Sequence, residues 1–242
     1  MKVALFSDMH ANREAYEAVL AAIAKEGIDQ WYCAGDIVGY GADPVACIDK
    51  TRALPARTVA GNHDWGAAGA ADIGRFNRYA KEALLWTAGV LDDGAREYLR
   101  ALPLVEKREF LLVHGSLSRP EDFEYIVDFQ AAQSTFLLMK EERVCFVGHT
   151  HVAGVFIDDG GGQIEYNPWP EVTLEDGKRY IVNIGSVGQP RDNDPRAAYC
   201  LYDIGRKNIQ IKRVRYDVRR AQEKIRKAGL PQMLAQRLET GR

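Results

Sequence analysis

The hydrophobic pattern opens with an unbroken apolar run, Val3-Ala4-Leu5-Phe6, of the kind that fills a strand buried on both faces. Asn12 then stands as a helix cap, and Tyr16, Val19, Leu20 and Ile23 recur at helical spacing until Gly27. The unit repeats with a strand around Trp31-Tyr32-Cys33, a loop over 35–42, and Asp43-Pro44 as cap and first turn of a helix reaching about residue 53. Residues 58–60 read as a third strand. This alternation predicts an α/β architecture with a largely parallel sheet at this end.

From 75 to about 102 the pattern is helical, with Phe76, Tyr79, Ala83, Leu84 and Trp86 on one broad face and Gly89 and Gly94 marking a break into two helices. Two readings of this insert stay open: plain core packing, or partial lining of a substrate cleft. Strands at 104–106 and 110–113, an irregular stretch at 116–122, a helix over 128–142 and a strand over 144–147 follow. The last third changes character. Strands at 152–157, 163–166, 180–183, 197–203 and 208–215, separated by glycine-rich turns, predict a second, mostly antiparallel sheet packed on the first. Residues 215–228 form a basic helix, and Pro231 opens a short final one.

Composition excludes more than it identifies. With 46% apolar and 27% charged positions over 242 residues, the chain is neither disordered nor fibrous. A net charge of −2 gives no global pull toward nucleic acid or acidic membrane. No window approaches a membrane span and the opening apolar run is too short for a signal-peptide core, so a cytoplasmic setting is expected. Cys33, Cys47, Cys145 and Cys200 lie far apart without CxxC spacing and read as buried hydrophobes in a reducing compartment. The eight Lys/Arg of 212–227 read as a solvated face before they read as a polyanion contact.

One stretch does not fit an ordinary core. Gly61-Asn62-His63-Asp64 follows an apolar run directly, and burying such groups without partners costs about 1–3 kcal/mol each. Four other runs end the same way: in Asp8 with His10, in Asp36, in His114, and in His149 with His151. All five histidines of the chain belong to this set. If the runs are neighbouring strands of one sheet, their carboxyl ends share an edge and the polar side chains converge there. Asp8, Asp36 and Asp64 would repel one another at such a point unless a cation joined them. Imidazole, carboxylate and amide oxygen without thiolate suit Mn, Fe, Zn, Co or Ni, and seven ligands with one shared carboxylate imply two divalent metal ions.

Asp8-Met9-His10, Gly35-Asp36, Gly61-Asn62-His63-Asp64, His114 and Gly148-His149-Thr150-His151, in this order, resemble the motif set of the calcineurin-like metallophosphoesterase superfamily. Residues 7–12, 35–41 and 185–191 extend the likeness toward its small prokaryotic phosphodiesterase-like branch. The resemblance implies that Asp8, His10, Asp36 and His151 hold one metal while Asp36, Asn62, His114 and His149 hold the other, with Asp36 bridging. It implies a hydroxide shared by the ions as nucleophile toward phosphorus, and His63 as the catalytic residue that protonates the leaving oxygen or stabilises charge on it. Asp64 either orients a ligand or serves turn chemistry.

The chain departs from the serine/threonine protein phosphatases of that superfamily, where Asp-Arg-Gly follows Gly-Asp. Gly39, Tyr40 and Gly41 stand there instead, which removes the phosphate-gripping arginine and the carboxylate that orients the catalytic histidine. Arg191, in the glycine-rich 185–191 loop, is the candidate replacement clamp, with Asn12 and Tyr40 as further substrate contacts. The expectation is therefore an α/β two-sheet αββα sandwich, a single domain over 1–242 with a helical insert at about 75–102. It would hydrolyse a small phosphorylated substrate, a phosphodiester first and a nucleotide among the candidates. Monoester or dinucleoside polyphosphate hydrolysis is the alternative, and a non-catalytic metal-binding scaffold is the reading from another class.

Overall fold

Alternate residues of strand β1 (Lys2–Phe6) serve two cores at once. In the computed structural model, which describes residues 1–242, Val3 and Leu5 join a core between two sheets, whereas Ala4 and Phe6 pack among helices outside. Helix α1 (Arg13–Ile23) forms that outer cover. Asn12 caps it by accepting the Ala15 N–H at 3.1 Å, and Ala15, Tyr16, Val19 and Ile23 give it one buried face. Strand β2 (Gln30–Cys33), helix α2 (Pro44–Ala53), strand β3 (Ala56–Thr58) and helix α3 (Asn62–Ala67) continue the alternation. Asp43 precedes α2 as expected but does not cap it, because its carboxylate is bound to Lys224 at 2.7 Å.

A 3₁₀ turn (Ile73–Arg75) leads into α4 (Arg78–Val90) and α5 (Asp93–Arg100). Gly89 and Gly94 lie inside these helices. The break between them comes from Asp92, which accepts the Ala95 N–H at 2.7 Å and starts a new helix. Strands β4 (Val105–Lys107) and β5 (Leu111–Val113) follow, then α6 (Phe129–Leu138), capped by Asp128 and shorter than its pattern predicts. The remainder is β6 (Val144–Val147), β7 (Gly154–Asp158), β8 (Ile164–Asn167), β9 (Glu171–Thr173), β10 (Arg179–Asn183), β11 (Ala197–Asp203), β12 (Asn208–Val214), α7 (Val218–Lys227) and α8 (Gln232–Thr240). Three-residue β9 has no sequence signal of its own. Strand β3 sits two residues earlier than expected, and α7 starts only after its Asp217 cap.

The strands form two six-stranded sheets, β3-β2-β1-β11-β12-β9 and β4-β5-β6-β10-β7-β8. This is the αββα sandwich, but its strands are divided differently from the expectation. The last third does not make a sheet of its own. Strand β11 zips antiparallel onto β1, with Lys2 opposite Asp203, and β10 runs parallel to β6. The physical reason lies in β1: a strand apolar on both faces is an interior strand and needs a partner on each edge. Strand β11 fits because it is two-faced as well, with Cys200 and Tyr202 between the sheets and Tyr199 and Leu201 outside.

The inter-sheet layer is filled by Leu5, Tyr32, Phe110, Phe146, Val182 and Tyr202, among others. Truncating a fully buried ring such as Phe146 there costs about 3–5 kcal/mol. Helix α6 covers the second sheet through Ala132 and Phe136, which meet Val147, Phe156 and Ile181. No helix is long and apolar enough to cross a membrane. Because β1, β2 and β3 belong to one sheet and β5 and β6 to the other, the predicted single edge of ligand-bearing strand ends becomes two adjacent edges.

Candidate metal centre and cleft

The loops at those edges are stitched together before any side chain is considered. Asp8 donates its N–H to Gly35 O at 2.9 Å, His10 to Asp36 O at 3.0 Å and Ala11 to Ile37 O at 2.9 Å, so the loops after β1 and β2 run side by side. Asp64 clamps the second loop from α3. Its carboxylate accepts the N–H groups of Asp36 and Ile37 at 2.8 Å each, Gly61 at 3.0 Å and Val38 at 3.3 Å. It orients backbone, and neither an imidazole nor a ligand amide. Burial and the Asp36 charge push its pKa up to about 7, while the N–H donors pull it down. Gly61 is required by closeness, since a Cβ there would lie 2.0 Å from Asp36 Oδ1.

Asp8, His10, Asp36, His149 and His151 all sit in the left-handed backbone region, with φ of 56°, 47°, 54°, 67° and 62°. Each such non-glycine residue costs on the order of 1–3 kcal/mol, which the surrounding hydrogen bonds must over-determine. The five side chains all belong to two adjoining groups of candidate ligands. His10 and His151 bring their Nε2 atoms to 3.0 Å of each other, and His114 Nε2 lies 3.1 Å from His149 Nδ1 and 3.2 Å from Asn62 Oδ1.

The far nitrogens are already engaged. His10 Nδ1–H donates to Val38 O at 3.0 Å, His114 Nδ1–H to Ala34 O at 2.7 Å and His151 Nδ1–H to Gln189 O at 2.5 Å. In the neutral form of each ring the inward nitrogen then carries the lone pair. The carboxylates repeat the design. Asp8 Oδ2 accepts the His149 N–H at 3.2 Å and Asp36 Oδ1 the His63 N–H at 2.9 Å, whereas Asp8 Oδ1 and Asp36 Oδ2 are buried without a partner. Those bare oxygens lie 3.2 Å from His151 Nε2 and 3.3 Å from His114 Nε2.

Asp8, His10 and His151, and likewise Asp36, His114 and His149, thus present one donor atom each within 4.8 Å of one another. Converging nitrogen and oxygen donor atoms fit cations, and nitrogen with carboxylate oxygen fits borderline divalent ones. Charges follow the same geometry. Burial raises the carboxyl pKa of Asp8 and Asp36, but neighbouring imidazoles prevail and hold both well below the usual range. Burial lowers His114, yet the Asp36 charge overcomes it and lifts the imidazole to about 9. Burial and the Arg191 charge bring His151 down to about 4.

His63 is buried beside this centre, its ring 4.8 Å from that of His10 and 4.4 Å from that of Tyr40. Burial pushes its pKa well down, and its Nδ1 has no partner. A Cβ at residue 39 would lie 2.3 Å from that Nδ1, so the glycine in place of an orienting aspartate makes room for the ring itself. Tyr40 packs on His10 and accepts from Arg191 Nη2 at 3.3 Å. Arg191 is fastened by its own N–H to His151 O at 3.2 Å. Asn12, expected at the substrate, has structural partners. Its amide oxygen caps α1 and its Nδ2 donates to Gly188 O at 2.9 Å, so both ends are used.

A cleft of about 760 Å³ opens from the second cluster, with Asn62, His63 and His149 at its base and Trp65, Phe76 and Phe123 on its walls. Phe76, Asn77 and Ala80 come from the start of the helical insert, so the insert serves both cleft and core. Tyr125 stacks on His149, with ring centroids 3.8 Å apart and planes 11° from parallel. The sequence reading missed Tyr125, which lies in an irregular stretch with no periodic signal. It also missed Arg237 on α8, whose Nη1 donates to Gln189 Oε1 at 3.2 Å. An arginine between Leu234 and Leu238 on the apolar side of that helix was the available hint.

Residues 1–207 match the profile of the calcineurin-like phosphoesterase superfamily domain. An uncharacterised protein of Methanocaldococcus jannaschii is 37% identical over 245 aligned positions, which span 99% of this chain and 98% of that protein. The crystal structure of a metallophosphoesterase from Sphaerobacter thermophilus aligns with a TM-score of 0.87 at 37% identity, covering 100% of this chain and 99% of the other. A protein of Pyrococcus horikoshii shares the fold at a TM-score of 0.79 and 22% identity, covering 100% and 98%. The chain belongs to the calcineurin-like phosphoesterase superfamily, metal-dependent hydrolases of phosphorylated substrates.

Proposed function

We propose that this protein hydrolyses a phosphodiester with two divalent cations, one held by Asp8, His10, Asp36 and His151 and the other by Asp36, Asn62, His114 and His149. The observation that carries the reading is the pair of Nε2 atoms of His10 and His151 facing each other at 3.0 Å, each ring fixed by a backbone carbonyl behind it. Two lone pairs so placed repel unless a cation or proton lies between them. Manganese, iron, zinc, cobalt or nickel suits the donor set. When bound, such ions neutralise charge on the phosphoryl oxygens and lower the pKa of water enough for attack on phosphorus at neutral pH.

The chain's own groups do the rest. Asp36 reaches both clusters, because its free oxygen lies 3.5 Å from His10 Nε2 and 3.3 Å from His114 Nε2. His63, at the base of the cleft, is placed to stabilise or protonate an oxygen leaving in that direction. Trp65, Phe76 and Phe123 offer apolar faces to a planar leaving group, as a nucleoside would present. Arg191, tied to His151 of the first cluster, supplies a fork for the phosphate oxygens on the other flank. A phosphate with a substituent on each side matches this two-flanked layout. The four cysteines are free and buried, in keeping with a cytoplasmic setting.

Turnover of bis(p-nitrophenyl) phosphate and of p-nitrophenyl phosphate, with manganese and after chelation, tests the reading. Wild type is expected to hydrolyse the diester faster and to lose activity on chelation. Asp36→Ala should lower kcat/KM by about 10³-fold or more and reduce the metal content below two ions per chain. His63→Gln should lower kcat by about 10²- to 10⁴-fold while keeping both ions. A wild type that carries two ions and turns over neither ester is a scaffold, and the proposal fails.

A further inference from the structure

Two arginines stand beside the first cluster with no aspartate or glutamate paired to either. Arg191 leans over the Tyr40 ring at 5.7 Å, and its Nη2 donates to Gln189 Oε1 at 3.0 Å. Arg237 donates to the same amide oxygen at 3.2 Å. Two guanidinium groups thus share one neutral acceptor. Arg179, Arg196 and Arg213 elsewhere in the fold are each paired with an aspartate, whereas no Asp or Glu side chain pairs with Arg191 or Arg237. The Nε of Arg191 is also buried without any acceptor. Burial and the neighbouring Arg191 charge both lower the pKa of Arg237. Adjacent, half-buried like charges are unfavourable in the free protein, and an anion removes the conflict.

The pair is held in place rather than left to wander. Leu234, Ala235 and Leu238 of α8 pack with Tyr40, Ala80 and Ile225. Past the helix, Arg237 Nε donates to Arg242 O, Asn193 donates its N–H to Gly241 O at 2.8 Å, and Arg242 Nε donates to Asn193 Oδ1 at 2.7 Å. The end of α8 is therefore latched to the loop that carries Arg191. Helix α8 lies outside residues 1–207, the part of the chain matched by the family profile.

We propose that Arg191 and Arg237 form a receptor for a second phosphate group on the substrate, next to the scissile one, which makes Arg237 a specificity-determining residue. This rests on the phosphoesterase reading above. Two planar forks carrying two positive charges match a phosphate with two negative ones better than a carboxylate with one. The scissile phosphorus sits over the cations, and the neighbouring phosphate lies toward Gln189 on the flank away from His63. A diester whose retained substituent is uncharged leaves Arg237 unused and engages Arg191 through the scissile phosphate alone.

The test compares p-nitrophenyl diphosphate with bis(p-nitrophenyl) phosphate on the manganese-loaded protein. Attack of water at the ester phosphorus of the first breaks its bond to the aryl oxygen and yields p-nitrophenol and pyrophosphate. Arg237→Gln should raise KM for the diphosphate about tenfold or more, with kcat and the diester kinetics within about twofold of wild type, and Arg237→Lys should recover part of the loss. Equal effects on both substrates, or none on either, overturn the proposal.

Calorimetric titration of the same proteins with inorganic pyrophosphate gives a readout independent of turnover. Binding about tenfold or more weaker in Arg237→Gln than in wild type supports the receptor, and equal binding rejects it. A protein that turns over nothing but shows this difference keeps the receptor and loses the hydrolase. An unchanged melting temperature in Arg237→Gln separates lost recognition from lost folding.

Discussion

The two ends of the β-strands solve the same problem of chain reversal in different ways. At the end away from the clusters, the turns use glycine where the backbone goes left-handed: Gly27 before β2, Gly160 and Gly162 between β7 and β8, and Gly177 before β10. At the cluster end glycines such as Gly35, Gly39 and Gly185 also go left-handed, but Asp8, His10, Asp36, Tyr40, His149 and His151 take up such backbone beside them. Glycine adopts it without steric cost, and a residue with a Cβ does not. A strained conformation is therefore tolerated at the end where a side chain must point a particular way. The far end has no such demand and, Lys207 apart, uses the relaxed solution.

The sharpest way to break this contrast is to remove the restraint at each end. Asp64 holds four N–H groups in a dry interior, and Asp159 holds the N–H groups of Gly161 and Gln163 in solvent. Asp64→Ala should cost about 3 kcal/mol or more by denaturant unfolding and lower the metal content, because buried donors lose their acceptor. Asp159→Ala should shift the unfolding midpoint by a small fraction of that. Equal losses at the two positions would mean that the cluster end is no more restrained than the other.

A smaller effect separates the two clusters. His114, lifted to about 9 in the metal-free protein, must release its proton before it can bind a cation, whereas His151, at about 4, is already neutral at pH 7. Cation affinity at the cluster containing His114 should therefore rise with pH, by up to about tenfold per unit, and level off above about pH 9. The cluster containing His151 should have no such rise arising from that residue. Manganese titrations at several pH values check this, and identical pH profiles for the two binding steps contradict it.

The smallest effect lies at the far end. Lys207 is the residue in the turn between β11 and β12 that keeps a Cβ with φ at 52°. Lys207→Gly should raise stability by up to about 1 kcal/mol with turnover unchanged. A loss of stability there would show that the turn depends on the lysine side chain, which bonds Asp176 at 2.7 Å.

The cluster residues were legible in the sequence because histidine, aspartate and asparagine, costly to bury unpaired, recur at the ends of five short apolar runs. Their backbone conformation was not, since nothing in Asp8-Met9-His10 distinguishes a left-handed loop from an extended one. The two-sheet architecture could be read from strand patterns, but which strands share a sheet could not. Pairing β1 with β11 depends on apolar faces at opposite ends of the chain, and local periodicity carries no register over that distance. Helix α3 was missed because six residues give less than two turns, and its start at Asn62 resembles a loop. Arg237 was missed because one arginine on an amphipathic helix looks solvent-bound until its neighbours are known.

The pairing of Lys2 with Asp203 also sets a timetable for biosynthesis. Ser186 Oγ and the Gly188 N–H both bond Asp8 O, at 2.9 Å each, so the first loop is fastened by residues that leave the ribosome long after it. At ordinary elongation rates of about 5–20 residues per second, that delay is roughly 10–40 s. Throughout it, one edge of the opening strand stays bare and the acidic and imidazole groups of the nascent chain have no finished cage. Cation loading therefore belongs to the moments after translation has passed the eleventh strand.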